Sequence, residues 1–156
     1  NNIAGTWSVA QSPEKYTTIK EAMEKALDGK ATLLYAQGSN IWRDRELQKN
    51  GEQGKSIAWG DKVKMKNEAL QIAKEADVIV CAMGETADMS GECASRTNLE
   101  MPDVQQELLA ELAKTGKPVV LLNFAGRPTV LSWENEHIPA IMNVWFGGSE
   151  VGLHHF

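Results

Sequence analysis

The sequence of 156 residues has the length of one domain, and its 42% apolar content is enough for a hydrophobic core of that size. The formal net charge is −5 with the two signs interspersed, and no basic cluster is strong enough to indicate nucleic-acid binding. No apolar run is long enough to span a bilayer, so the sequence predicts no membrane partner. The two cysteines provide no disulfide framework, which leaves the cellular compartment open.

In the first half of the chain, apolar residues at helical spacing predict a helix over residues 14–27, and a short apolar run predicts a strand over residues 31–36. Residues 40–65 are polar and show no sustained period. This excursion is predicted to contain one short helix, with Trp42 and Trp59 as packing anchors.

The second half alternates helical patterns with apolar runs. The predicted helices span residues 67–75, 102–114 and 129–136, and the predicted strands span residues 78–83, 117–124 and 139–145. The run at 78–83 is rich in β-branched residues and is predicted to be buried on both faces. Together these elements predict an α/β domain over residues 1–156: an open, mostly parallel sheet with helices on both faces.

A long loop of small and polar residues leaves the strand predicted at 78–83 and ends at the helix that begins near Pro102. Loops at the carboxyl end of a parallel strand are where open α/β sheets bind ligands. Glycine-containing loops at 37–38, 125–127 and 146–148 are expected to share this edge of the sheet. Because residues 85–98 offer few apolar side chains, we expect them to form the most mobile internal segment.

Several chemistries lack their sequence patterns. No Gly-x-Gly-x-x-Gly or Walker-type lysine follows a strand, and no Gly-x-Ser-x-Gly is present, so the sequence predicts no cofactor and no serine nucleophile. His137, His154 and His155 are not at metal-ligand spacing with any cysteine, so no metal site is predicted. Carboxylate chemistry remains.

Three carboxylates lie on the long loop. Glu85 directly follows the strand, where we expect it to bind loop amides, and Asp88 has the position of a turn residue. Glu92 lies between Gly91 and Cys93, in a run of small residues that allows a carboxylate to be held away from the sheet. The residue pattern alone leaves all three open as catalytic candidates.

Several motifs together resemble the C-terminal α/β domain of glycoside hydrolase family 3 β-glucosidases. They are Met-Ser-Gly-Glu-Cys-Ala-Ser-Arg at 89–96, Leu-Glu-Met-Pro-Asp-Val-Gln-Gln-Glu-Leu at 99–108, Gly-Lys-Pro-Val-Val at 116–120, Gly-Arg-Pro at 126–128 and Ser-Trp-Glu at 132–134. Each motif is weak alone. The likeness is specific as a combination and extends over nearly the whole chain.

This resemblance implies a retaining β-glucosidase that releases non-reducing terminal β-D-glucose, with an active site built from two domains. An N-terminal barrel domain supplies the aspartate nucleophile, and Glu92 occupies the position of the general acid/base. The resemblance also implies that Ser8 and Ser90 lie near the sugar, and that Arg96 pairs with a loop carboxylate. A periplasmic or extracellular location is favoured on the same ground.

Three departures from the family pattern shape the expectations. The barrel is absent from this sequence and residues 150–156 leave the pattern, so we expect a fragment of a larger two- or three-domain glycosidase that is inactive alone. The strand expected before Asn1 is also absent, which predicts an unpaired sheet edge. A non-catalytic carbohydrate-binding or interaction module is the alternative, and a nucleotide-binding domain is disfavoured because no phosphate loop is present.

Overall fold

A computed structural model describes residues 17–50 and 57–148 of the chain. In these ranges the helices are α1 (Ile19–Ala26), α2 (Arg45–Asn50), α3 (Lys62–Glu75), α4 (Asp103–Ala113) and α5 (Ser132–His137). The strands are β1 (Ile79–Gly84), β2 (Val119–Phe124) and β3 (Ala140–Asn143), and a single 3₁₀ turn spans Ala87–Met89. None of the helices in the described part is long and apolar enough to cross a membrane.

The three strands form an open parallel sheet in the order β1-β2-β3. Ile79 is paired with Val119 between the first two strands, and Val120 is paired with Ala140 between the last two. Because all three strands are parallel, their carboxyl ends lie at one edge, where the loops that follow them meet. The predicted α/β class is confirmed.

The main core lies between one face of the sheet and helices α3 and α4. Leu121 of β2 and Leu109 of α4 are fully buried at its centre, with Ile79 and Ala73 beside them. Helix α4 follows the predicted pattern closely, because apolar residues one turn apart bury a continuous stripe against the sheet. This packing fixes the position of the strand ends relative to the start of α4.

The opposite face of the sheet is only partly covered. Ile19 of α1 packs against Leu122 and Val144, while Val80 and Met142 on the same face remain 36% and 43% exposed. The prediction that β1 is buried on both faces is therefore wrong. A continuous apolar run does not reveal which of its two faces has a covering layer, and here α3 and α4 cover only one.

Residues 31–36 do not form the predicted strand, since no ladder in the described residues includes them. Leu34 and Tyr35 are 40% and 60% exposed, and Ala36 alone packs against the main core. An apolar run becomes a strand only where a neighbouring strand takes its backbone hydrogen bonds.

The polar excursion contains the one short helix that was predicted, α2. Helix α3 begins five residues before its predicted start, because the side chain of Asp61 accepts a hydrogen bond from the backbone N–H of Lys64 and caps the helix there. Trp42 is half-buried, whereas Trp59 is 37% exposed and does not anchor the segment as predicted.

Candidate active site

The loop of interest begins where β1 ends at Gly84. This residue has a φ of +128°, and a Cβ placed on it would lie 2.0 Å from the carbonyl oxygen of Phe124. The backbone N–H of Glu85 donates to that same carbonyl at 2.7 Å. Only glycine permits so close an approach of two strand ends, so the chain leaves β1 directly beside the end of β2.

The carboxylate of Glu85 ties the loop to the neighbouring strand end. Its side chain is fully buried; Arg96 Nη1 donates to Oε1 at 2.7 Å, and Arg127 Nε lies 3.5 Å from the same oxygen. The backbone N–H of Gly126 donates to Oε2 at 3.4 Å. Glu85 therefore accepts hydrogen bonds from Arg96 and from a loop amide, while the Arg127 guanidinium group lies in ion-pair range without such a bond. The predicted pairing of Arg96 with a loop carboxylate is confirmed.

The first half of the loop is packed rather than open. Ala87, Met89 and Ser90 are all at least 96% buried. A Cβ on Gly126 would lie 2.0 Å from the Ser90 hydroxyl, so these two residues are in tight contact. The predicted mobility of residues 85–98 assumes that the whole loop buries little apolar surface. This assumption is wrong for the first half of the loop, because the 3₁₀ turn directs Met89 inward.

Arg127 bonds to the loop on both sides of Glu92. Its Nη2 donates to the carbonyl of Met89 and, at 2.8 Å, to the carbonyl of Ala94. The side chain of Arg127 is 23% exposed, so these charge-assisted hydrogen bonds are largely shielded from water. Residues 89–94 form an arch between the two carbonyls; we refer to it below as the arch.

Glu92 lies at the exposed tip of the arch. The backbone N–H of Ala94 donates to the carbonyl of Gly91 at 3.4 Å, which closes a turn, and Cys93 within it has a φ of +62°. In the described part of the chain Glu92 makes no hydrogen bond or ion pair. Its carboxylate is thus held out from the protein surface, available to a group outside this chain.

The far end of the loop is held as well. Arg96 lies over the ring of Trp42, 5.9 Å from its centroid, and donates to the carbonyl of Glu100 at 3.2 Å. The backbone N–H of Val130 donates to the carbonyl of Leu99 at 2.9 Å. The loop is therefore attached near its start, on both sides of its tip and near its end.

Not all of the other glycine-containing loops lie at the carboxyl edge of the sheet as predicted. Phe146 lies near Gly126, as a Cβ on that glycine would be 2.8 Å from its ring. Trp145, 45% exposed, adopts a φ of +59°, a conformation that bulky residues rarely adopt. Gly38 instead packs against Leu108 of α4.

Of the predicted site residues, Glu92 is exposed at the tip and Ser90 is buried beneath it against Gly126. Ser8 lies outside the described residues. The roles of all three stay predictions. Within residues 17–50 and 57–148, no group of three His, Cys, Asp or Glu side chains is arranged to hold a metal ion.

Sequence reasoning did not assign a site role to Arg127 or Gln105, and it gave Trp42 only a packing role. Gln105 is almost fully buried, and its amide binds the backbone of Gly84. Its position one helical turn before Leu109, in the buried stripe of α4, was the available signal. Arg127 had a weaker signal, as an arginine three residues after the end of a buried strand. The contact of Trp42 with Arg96 joins distant segments and left no signal in the sequence.

Comparison with known proteins places this open parallel α/β sheet in a family. The family model described as glycosyl hydrolase family 3 C-terminal domain matches residues 1–154. The chain belongs to this family.

Individual relatives point the same way. A periplasmic beta-glucosidase of Salmonella typhimurium is 36% identical over 154 residues, which is 97% of this chain and 20% of the relative. A beta-xylosidase of Formosa agariphila is 29% identical, over 90% of this chain and 17% of the relative. The crystal structure of a beta-glucosidase from Listeria innocua matches the fold with a TM-score of 0.70 at 24% identity, over 97% of this chain and 18% of that one. The chain thus spans about one fifth of the length of these proteins.

Proposed function

We propose that this chain is the acid/base-bearing domain of a retaining β-glucosidase, in which Glu92 protonates the departing oxygen and later activates water. The observation that carries this proposal is the placement of Glu92, whose carboxylate is exposed and unpaired among the described residues while the arch beneath it is bound to Arg127. A buried or ion-paired carboxylate has no such access to a substrate.

The rest of the active site belongs, in this proposal, to a separate N-terminal barrel domain of the same protein. Retaining glycosidases need two carboxyl groups about 5–5.5 Å apart, one as nucleophile and one as acid and then base. The barrel contributes an aspartate nucleophile and most sugar contacts, and this domain places Glu92 over the barrel mouth. Relatives about five times as long as this chain support the two-domain arrangement.

The substrate proposed is a β-glucoside cleaved at its non-reducing end, in keeping with the beta-glucosidase name of the Salmonella typhimurium relative. The same relative's description supports a periplasmic or extracellular location. Ser8 and Ser90 are proposed to lie near the sugar, and the buried Ser90 supports the arch from within. The isolated chain is expected to be inactive, since the covalent step needs the nucleophile of the barrel.

Leaving-group dependence tests this role. In the full-length protein, Glu92→Ala should reduce cellobiose hydrolysis by on the order of 10²–10⁴-fold, because a poor leaving group needs a proton. Formation of the glycosyl-enzyme from dinitrophenyl β-glucoside should be far less affected, because that leaving group departs as an anion.

The matched control is Glu85→Ala, which removes a carboxylate seven residues away that is buried and ion-paired. It should reduce cellobiose hydrolysis less than Glu92→Ala does, because the acid itself remains. A Glu92→Ala enzyme that loses both substrates equally, or retains cellobiose hydrolysis, contradicts the proposal and favours the non-catalytic carbohydrate-binding or interaction module.

A further inference from the structure

We infer that Arg127 is a positioning residue for Glu92: its guanidinium group holds the two ends of the arch and so sets the direction of the glutamate at its tip. The inference rests on the proposed acid/base role of Glu92. Arg127 itself is not placed in contact with substrate; it acts through the backbone of the arch.

The first observation is that one nitrogen serves both ends of the arch. Met89 precedes Glu92 by three residues and Ala94 follows it by two, and Arg127 Nη2 donates to both carbonyls. Two carbonyls bound to one nitrogen must lie close together. The chain between them therefore bends back on itself: Ser90 stays buried, whereas Gly91, Glu92 and Cys93 are exposed at the bend.

The second observation is that Arg127 is itself fixed. Its Nε lies 3.5 Å from the carboxylate of Glu85, which is fully buried and also bound by Arg96. Its backbone follows β2 after only two residues, and the preceding Gly126 is in tight contact with Ser90. The guanidinium group is thus held by the ends of both β1 and β2. The sheet therefore sets the position of the arch that the guanidinium group binds.

The third observation is that the turn at the tip of the arch is weakly closed and conformationally strained. Its internal turn is closed by a hydrogen bond of 3.4 Å, near the limit of such contacts. Gly91 and Cys93 both have positive φ values, +94° and +62°. For Cys93 this conformation is unfavourable, so external contacts must maintain it.

A general acid works only within hydrogen-bond reach of the oxygen that it protonates, and misplacement by about 1 Å can cost on the order of 10²-fold in rate. Lysine cannot fully replace Arg127. Its ammonium group is a compact point charge, whereas the planar guanidinium group faces the Glu85 carboxylate and the two arch carbonyls at the same time.

The test is a double-mutant cycle in the full-length protein with Arg127→Gln, Glu92→Ala and their combination. Arg127→Gln should lower kcat/KM for cellobiose by about 10- to 100-fold. It should leave the rate of glycosyl-enzyme formation from dinitrophenyl β-glucoside nearly unchanged. In the Glu92→Ala background it should cause no further loss, because there is no longer an acid to position. Arg127→Lys should fall between Arg127→Gln and wild type.

Arg43→Gln is the matched control, because Arg43 also binds several oxygen atoms, those of the Asp103 and Glu107 carboxylates, but on an exposed surface. It should leave kcat/KM unchanged. If Arg127→Gln does not fold, Arg127→Lys enters the same cycle. An Arg127 effect that persists in the Glu92→Ala background, or that reduces all substrates equally, overturns the inference. A Glu92→Ala enzyme without leaving-group dependence instead contradicts the proposed function, so the two failures are distinguishable.

Discussion

The side chain of Gln105 exchanges two hydrogen bonds with the backbone of Gly84. Its Oε1 accepts from the glycine N–H at 2.7 Å, and its Nε2 donates to the glycine carbonyl at 2.9 Å. Both residues are buried. Helix α4 thereby satisfies the last backbone hydrogen-bonding groups of β1, immediately before Glu85. The loop with Glu92 therefore starts from a point that is fixed by both a helix and a strand.

Replacing Gln105 by leucine should destabilise the fold clearly. Both backbone groups of Gly84 would lose their partner in a buried setting, at a cost of about 1–3 kcal/mol for each unsatisfied group. Urea unfolding of this chain, followed by tryptophan fluorescence, measures the change. The control is Gln71→Leu, which removes an exposed glutamine whose side chain donates to Glu75 at 3.4 Å, and it should cost far less. Equal losses for the two variants would contradict the assigned role of Gln105.

Gly84→Ala should be among the most damaging single changes in the chain. Its Cβ would lie 2.0 Å from the backbone oxygen of Phe124, which cannot move without separating β1 from β2. We expect a loss of about 4 kcal/mol or more in the free energy of unfolding. Gly29 also has a positive φ but open space around its Cβ, so Gly29→Ala should cost only about 1–2 kcal/mol. A similar loss at both positions would show that conformation, not contact, limits Gly84.

Much of the fold was predictable because its signals are local. The stripe Val104, Leu108 and Leu112 specifies the buried face of α4, and the apolar run of β2 specifies a central strand. Residues 31–36 show the limit of such signals, because their apolar pattern fits a strand that no neighbour in the described residues pairs with. Coverage of a sheet face and pairing of a strand depend on distant segments.

The features of the site also divide into those that local sequence predicts and those that depend on distant segments. The loop position, the exposed setting of Glu92 and the pairing of Arg96 could be anticipated from small residues after a strand and from the family resemblance. The attachment of the arch by Arg127 could not, because 33 residues or more separate Arg127 from the carbonyls that it binds. Its contacts are to backbone atoms, which leave no complementary residue type in the sequence.

The two cysteines should differ sharply in reactivity. Cys93 is exposed beside Glu92, whereas burial of Cys81 in β1 raises the pKa of its thiol to about 12. A thiol-reactive reagent at pH 8 should therefore modify one cysteine in the folded chain and two in urea. Peptide mapping by mass spectrometry identifies the site. Rapid modification of Cys81 in the folded chain would contradict the packing of β1 against α3 and α4.

Glu107 should contribute a small pH-dependent stabilisation. Hydrogen bonds from Lys62 and Arg43 lower the pKa of its carboxyl below the ordinary 4.5. A lowered folded-state pKa means that this stabilisation is present above pH 4.5 and is lost as the pH falls through the folded value. For a carboxylate this exposed the effect should be less than about 1 kcal/mol. Glu107→Gln should flatten the acid limb of the stability profile, and 1 M salt should shrink the difference from wild type.

Azide rescue is the most direct measurement of the central claim, that Glu92 is the acid/base of a retaining glycosidase. With Glu92→Ala in the full-length protein and dinitrophenyl β-glucoside as substrate, the covalent intermediate should accumulate because no base activates water. Azide needs no base, so it should restore turnover and give β-glucosyl azide. Rescue by azide in Glu85→Ala or Asp88→Ala, with none in Glu92→Ala, would contradict the claim and move the acid/base role to another carboxylate of the loop.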